Sequence, residues 1–190
     1  HIRLQALKTL YQNPPSNFEA YLKALKIQYL VTDARHLSLP DDSVDFITSN
    51  NVFEHIYPDI LGGILKEFQR VLKPDGLMCH FIDMSDHFAH LDTTINIYHF
   101  LQFTEAEWER IDNSIQPQNR MRIPHYRALY ESLGLPIIDQ EHRPGDVEAV
   151  KAMELAMPYA ELPPEEVAIS HSYLVTGGKS NPQIHADGHR

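Results

Sequence analysis

Polar side chains with acid–base and ligand-binding chemistry follow an apolar segment in VDFITSNNVFEHI, residues 44–56. The segment begins with strand-forming residues and then carries Asn50, Asn51, Glu54 and His55. An imidazole titrates near neutral pH and therefore suits general acid–base catalysis. We expect these residues to form part of a cofactor and substrate site. The alternatives are that the two asparagines only form a turn and that His55 is a surface histidine.

A second group of reactive side chains lies in HFIDMSDHFAHLD, residues 80–92. Its imidazoles and carboxylates are all of the types that bind metals; they are His80, Asp83, Asp86, His87, His90 and Asp92. His87 and His90 would share one face of a helix, whereas His80 would alternate away from Asp83 in a strand. Because the spacing matches no metal signature, we predict a substrate-side cluster without a metal. A metal-dependent hydrolase built on this cluster is an alternative.

The hydrophobic pattern predicts the elements that hold these groups. Helices are expected at residues 2–11, 18–25, 59–73, 104–112 and 123–133, and strands at 26–32, 44–49 and 77–82, with two closing strands within 135–143 and 165–179. Thr104 and Glu107 have the spacing of a capping box. A short helix and a loop are expected between the closing strands.

The order of these elements predicts an α/β fold with a Rossmann-like, mostly parallel sheet flanked by helices. The two closing strands follow one another closely, so we expect an antiparallel hairpin at the C-terminal edge. Ligands of open α/β sheets bind beyond the carboxyl ends of the strands. Asp33, Asn50 with Asn51, and the segment from Asp83 to Asp86 fall at such ends and are expected to share one cleft.

Composition restricts the class of protein and of partner. The chain has 190 residues with a net charge of −10, which argues against nucleic acid or an anionic membrane as the main partner. Its single cysteine, Cys79, excludes an internal disulfide and fits a reducing compartment. No apolar run is long enough to span a bilayer. We therefore expect a soluble, cytoplasmic protein.

The ordered segments VTDARHLSLPDDSVDFITSNNVFEHI and ILKEFQRVLKPDGLMCHFID resemble the class I S-adenosylmethionine-dependent methyltransferases, of the type 11 kind. In that family a strand ends in an acidic residue, a Leu-Pro loop follows, and a Phe-Asp strand leads to a histidine. A helix then ends in a Leu-Lys-Pro motif, here Leu72, Lys73 and Pro74. The resemblance covers residues 26–86 and implies transfer of a methyl group from S-adenosylmethionine.

The resemblance also implies a segment that precedes these motifs. In the family, a strand with a glycine-rich loop and a second strand with a ribose-binding acid come first, and neither is present upstream of VTDAR. The chain begins with His1 rather than methionine. We therefore expect the N-terminal strands to be missing through processing or truncation.

The resemblance assigns roles to individual residues. Asp33 would accept a hydrogen bond from the adenine amino group, and Ala34 would supply a backbone N–H to the ring. The methionine end of the cofactor would be lined by Asn50, Asn51 and Val52. His55 or His87 would act as the catalytic base, and the substrate would be contacted by Glu54, Asp86 and His90.

The domain organisation follows from the same pattern. Residues 1–179 are expected to form a partial methyltransferase domain with a cap or lid insertion around residues 87–122, and residues 180–190 a disordered tail. The aromatic residues of the insertion would pack over the site or form a homodimer contact; they are Tyr98, Phe100, Phe103 and Trp108. The acceptor would be a small molecule or a glycan. The alternative to an enzyme is a catalytically inactive, methyltransferase-like module that serves in binding or assembly.

Overall fold

The computed structural model describes residues 2–180, without the side chains of residues 2, 3 and 6. It contains two compact units, which meet in the sequence between Asp33 and Ala34. The first unit holds helices α1 (Ile2–Gln12) and α2 (Phe18–Leu25). The side chain of Asn17 caps α2 by accepting a hydrogen bond from the Ala20 N–H at 2.9 Å. Both helices were predicted with these boundaries to within one residue.

The segment after α2 does not form the predicted strand. Lys26 ends the helix in a left-handed conformation, with φ of 56°, and residues 27–31 have no regular secondary structure. None of the described strands pairs with this segment. A strand is stabilised by hydrogen bonds to a neighbouring strand, so an apolar run alone does not produce one. The prediction of a strand at residues 26–32 was therefore wrong.

The second unit is built on one sheet. Its strands and helices are β1 (Val44–Asn50), α3 (Pro58–Val71), β2 (Leu72–Asp83), α4 (Glu105–Ile111), α5 (Ile123–Ser132), β3 (Ile137–Arg143), α6 (Val147–Lys151), α7 (Pro164–Ala168) and β4 (His171–Gly177). The order across the sheet is β1-β2-β4-β3. Strands β1 and β2 are parallel, whereas β4 is antiparallel to both of its neighbours. The α/β fold and the closing hairpin are confirmed, and the described part of the sheet is mixed.

A hydrophobic core lies between the sheet and helices α3 and α5. The apolar stripe of α3 contributes Leu61 and Leu65, neither of which is exposed. They pack with Met78 and Ile82 of β2 and Tyr126 of α5. The predicted stripe of α3 is therefore a core face, and it fixes the carboxyl end of β2 relative to the rest of the unit.

The predicted aromatic run belongs to a second core cluster. Tyr98, Phe100 and Trp108 are buried together with residues of the later segment, among them Tyr159. Phe100 and Trp108 meet edge to face with centroids 5.9 Å apart, a favourable aromatic geometry. These rings are covered within the chain, and their predicted place in a lid over the site stays a prediction.

Helix α4 begins as the sequence predicts. The Thr104 hydroxyl accepts from the Glu107 N–H, and the Glu107 carboxylate accepts from the Thr104 N–H at 2.8 Å. This reciprocal pair satisfies two donors at the start of the helix. Among the helices of residues 2–180, none is long and apolar enough to cross a membrane.

Candidate functional site

The carboxyl end of β1 turns sharply at Asn51. This residue has a φ of 53°, a left-handed conformation that asparagine adopts more readily than most residues. Its N–H donates to the carbonyl of Phe81 in β2 at 3.0 Å. Asn50, Asn51 and Val52 are exposed. The predicted cofactor-binding residues of this strand are therefore accessible at the edge where parallel α/β sheets bind ligands.

A 3₁₀ turn, Phe53–His55, follows and places His55 beside this edge. The Nδ1 atom of His55 lies 2.8 Å from the Pro117 carbonyl. A carbonyl oxygen only accepts, so Nδ1 carries the proton in the neutral ring and Nε2 keeps its lone pair. His55 is half-buried. Its imidazole is thus oriented as a base, with Nε2 the basic atom.

The segment of residues 116–119, which the sequence analysis did not single out, holds the turn around His55. The Asn119 N–H donates to the Glu54 carbonyl at 2.9 Å. The side-chain amide of Asn119 donates to the carbonyls of Phe53 and Ile56, each at 2.8 Å. The only signal in the sequence is a run of Gln, Pro and Asn without apolar periodicity, which is typical of a loop.

His87 comes from the segment after β2 and meets His55. The centroids of their rings are 4.9 Å apart. The Nδ1 atom of His87 lies 3.2 Å from the side-chain nitrogen of Gln116, and its backbone N–H donates to Gln118 at 3.2 Å. Two segments that are distant in sequence therefore bring the two predicted bases together.

Asp83, the last residue of β2, is the ionised acid of this region. Its Oδ1 accepts from the Ser85 N–H at 2.8 Å. Its Oδ2 lies 3.6 Å from Nε2 of His87 and 3.5 Å from Nε2 of His171. Burial raises the pKa of Asp83, but the neighbouring imidazoles and the Ser85 N–H outweigh it and hold that pKa well below its usual value. The sequence analysis missed His171, which lies in a strand far along the chain.

Glu54 differs from Asp83 because burial has the largest effect on its pKa and is not outweighed by its neighbours. Its side chain is 3% exposed, and among the described residues no group donates a hydrogen bond to either carboxylate oxygen. Burial raises the pKa of Glu54 to about 7. An oxygen of Glu54 and ring nitrogens of His55 and His87 lie within 4.8 Å of one another. Its predicted substrate contact stays a prediction.

The six candidate ligands of residues 80–92 separate into two sets. Asp83, His87 and His90 lie together, with ligand atoms within 4.8 Å of one another. His80 is fully buried between the rings of Phe53 and Phe68, and its Nδ1 lies 2.8 Å from Ser49 Oγ. It therefore lies apart from this set, as its alternation with Asp83 predicts.

The remaining two acids of that segment stabilise the backbone. Asp86 is 1% exposed and accepts hydrogen bonds from the N–H groups of Phe88 at 2.9 Å and Phe100 at 3.0 Å. Asp92 is exposed and accepts from Thr94. Both acids thus act as local caps, and the predicted substrate contact of Asp86 remains a prediction.

Asp33 and Ala34, the residues assigned to the adenine, lie on either side of the boundary between the two units. Asp33 is exposed and Ala34 half-buried. Their roles stay predictions from the resemblance.

A cavity of the second unit lies beside helices α3, α4 and α5. It has a volume of about 870 Å³ and is lined by residues of α3, α4 and α5, together with the segment of residues 117–119. None of the predicted site residues lines it. It adjoins the site through residues 117–119, which contact His55 and its turn.

Comparison with known proteins supports the predicted family. Residues 4–80 match the family model described as "Methyltransferase domain". A structure from Pyrococcus horikoshii OT3 is 18% identical with a TM-score of 0.53, and the alignment covers 85% of this chain and 65% of that one. The 1,6-didemethyltoxoflavin-N1-methyltransferase of Burkholderia thailandensis, with bound 1,6-didemethyltoxoflavin and S-adenosylhomocysteine, is 12% identical with a TM-score of 0.51, over 86% of this chain and 57% of that one.

A third structure, from Galdieria sulphuraria, bears the provisional name of sarcosine dimethylglycine methyltransferase. It is 17% identical with a TM-score of 0.51, over 93% of this chain and 67% of that one. The chain thus spans between 57% and 67% of the length of these three structures. The family match supports the predicted enzyme class and S-adenosylmethionine as its cofactor. The match over residues 4–80 agrees with the sequence-based recognition of a class I methyltransferase, and the structural likeness shows a shared fold.

Proposed function

We propose that the protein transfers a methyl group from S-adenosylmethionine to a small-molecule acceptor. The observation that carries this proposal is the position of His55, whose Nε2 keeps its lone pair and whose 3₁₀ turn follows the carboxyl end of β1. This is the edge at which open α/β sheets bind ligands. The relatives from Burkholderia and Galdieria are named for small-molecule chemistry, and the net charge of −10 disfavours nucleic acid as the acceptor.

The residues at the end of β1 fit the cofactor. Asn50 and Asn51 offer exposed amides, and the left-handed turn at Asn51 redirects the backbone beyond the strand. Asp33 would accept from the adenine amino group and Ala34 would donate its backbone N–H to the ring. Asn50, Asn51 and Val52 would line the methionine portion.

Bound S-adenosylmethionine would supply an electrophilic methyl group, which would pass to the acceptor by displacement and leave S-adenosylhomocysteine as the product. Such a displacement depends mainly on positioning of the two reactants. The acceptor's proton passes to Nε2 of His55, while Nδ1 keeps its hydrogen bond to the Pro117 carbonyl. Of the two predicted bases, we propose His55 for this role because its tautomer is fixed by that carbonyl.

The function is tested by following formation of S-adenosylhomocysteine from S-adenosylmethionine. The protein, in the full length that its gene encodes, is incubated with panels of hydroxylated, aminated and glycosidic small molecules. We expect turnover with a hydroxyl or amine acceptor of low mass. Turnover with glycosides alone would indicate the glycan class, and cofactor binding without turnover on any panel would favour a binding module.

A further inference from the structure

Asp83, His87 and His90 converge at the carboxyl end of β2. One ligand atom of each lies within 4.8 Å of the others. His87 and His90 are the first and last residues of a 3₁₀ turn, His87–His90. Because a 3₁₀ helix has three residues per turn, side chains three apart project from the same side. The local backbone therefore directs both imidazoles toward the carboxylate that precedes them.

The separations suit a shared ion better than direct hydrogen bonds. Nε2 of His87 lies 3.6 Å from Oδ2 of Asp83, which is too long for an N–H···O hydrogen bond. Metal–ligand distances of about 2.0–2.2 Å in a tetrahedral zinc site place neighbouring ligand atoms about 3.3–3.5 Å apart. A small adjustment of these side chains would therefore bring the three donors onto one ion.

Hydrogen bonds orient these side chains, as they do around the ligands of known metal sites. Asp83 is oriented by the Ser85 N–H on Oδ1, which leaves Oδ2 toward the imidazoles. The turn is fixed by the buried carboxylate of Asp86. The Gln116 amide lies 3.2 Å from Nδ1 of His87, and rotating that amide by half a turn would let Nδ1–H donate to its oxygen. Such a second contact fixes the tautomer in which Nε2 binds metal.

Glu54 provides an independent indication of a cation. Its carboxyl group is 97% buried, since its exposed fraction is 3%, and no described residue donates a hydrogen bond to it. It lies within 4.8 Å of His87, the central residue of the cluster. A buried acid without a partner is costly, and a divalent ion at this cluster would offset that cost.

We propose that Asp83, His87 and His90 bind one divalent transition-metal ion of the zinc class. Two imidazoles and one carboxylate form a donor set typical of zinc and of ferrous sites, and three protein ligands leave a position open for water or another ligand. This differs from the sequence-based prediction of no metal. The inference goes beyond methyl transfer and does not rest on it, and it makes His87 a ligand rather than a base.

The test is calorimetric titration of the untagged, chelator-treated protein with Zn²⁺, with Co²⁺ absorption as a second readout. We expect one ion per chain and a visible Co²⁺ spectrum that indicates imidazole ligands. His90→Ala should weaken binding by at least about tenfold. Because His90 is exposed, this variant is expected to fold, and circular dichroism checks that it does.

Matched controls separate this site from other histidines of the chain. His36→Ala removes an exposed imidazole outside the cluster, and a double variant, His185→Ala with His189→Ala, removes those of the C-terminal sequence HADGHR. Both should keep the affinity of the original protein. Unchanged binding in His90→Ala, or loss of binding in the double variant, would overturn the proposal. Neither result would bear on S-adenosylhomocysteine binding, which is measured separately.

Discussion

His55 is the residue on which the proposed chemistry depends. Substituting His55→Gln keeps an amide that can donate to the Pro117 carbonyl but removes the basic Nε2. We expect kcat to fall by about 10²–10⁴, the range typical of a lost general base, while S-adenosylhomocysteine affinity changes little. Steady-state kinetics measure kcat, and calorimetry measures the S-adenosylhomocysteine affinity, in the variant and in the original protein. His36→Gln, an exposed control, should leave both quantities unchanged, and full activity in His55→Gln would remove His55 from the mechanism.

His80 contributes to the pH dependence of stability. It is fully buried, and burial lowers the pKa of His80 to about 4 from 6.5. The unfolded chain therefore binds a proton between these values that the folded chain does not, so the contribution of His80 to stability is complete above pH 6.5 and is lost as the pH drops toward 4. The expected loss between pH 7 and pH 5 is about 2 kcal/mol from this residue.

Urea unfolding of His80→Gln at several pH values measures that contribution. The glutamine does not titrate, so the free energy of unfolding at pH 5, relative to its value at pH 7, should be about 2 kcal/mol higher than in the original protein. The exposed His36 again provides the control, because His36→Gln should retain the original pH dependence. An identical pH dependence in His80→Gln would show that His80 does not cause it.

At the level of elements, the segment of residues 116–119 positions the turn that carries His55. Asn119 bonds the carbonyls of Phe53 and Ile56 and so closes the turn that carries His55. Asn119→Ala leaves two half-buried carbonyls without these donors, and we expect a loss of about 1–3 kcal/mol in the free energy of unfolding. Activity should fall further than stability explains, because the His55 ring loses its orientation.

Thermal unfolding and kinetics at a temperature well below the transition separate these two effects. Asn13→Ala, in an exposed position of the first unit, is the matched control and should change stability by less than about 0.5 kcal/mol. Normal kcat in a folded Asn119→Ala would mean that the segment serves packing alone.

Elements with a local signal were predictable from the sequence. Helix α3 has a continuous apolar stripe, and α4 has its capping box at Thr104 and Glu107. The prediction of a strand at residues 26–32 failed because a strand depends on a partner elsewhere in the chain. For the same reason His171 and the Pro117 carbonyl were missed. Their roles arise from tertiary contacts, whereas His55 and His87 could be placed from the order of strands and loops.

Arg122 stabilises the second unit as a whole. It is fully buried, and its guanidinium donates to the carbonyls of Met84, Val167 and Ile169. It thereby connects the end of β2 with α7 and the approach to β4. Burial lowers the pKa of Arg122 to about 10, so the group stays protonated at neutral pH.

Arg122→Met removes the donors of three buried carbonyls, and the expected loss in the free energy of unfolding is about 3 kcal/mol or more. Chemical denaturation measures it. The exposed Arg110→Met is the control, with an expected change below about 0.5 kcal/mol. A small effect of Arg122→Met would mean that water or a rearranged backbone satisfies these carbonyls.

The central claim concerns cofactor binding, and calorimetric titration with S-adenosylhomocysteine tests it most directly. The titration uses the 190-residue chain and the protein in the full length that its gene encodes. We expect one binding site per chain in the full-length protein. The affinity for S-adenosylhomocysteine should be at least about tenfold weaker in Asp33→Ala, because a hydrogen bond to a charged group contributes about 1.5–3 kcal/mol. Asp92→Ala, in an exposed turn, should bind normally. Absence of binding by the folded full-length protein would contradict the methyltransferase function.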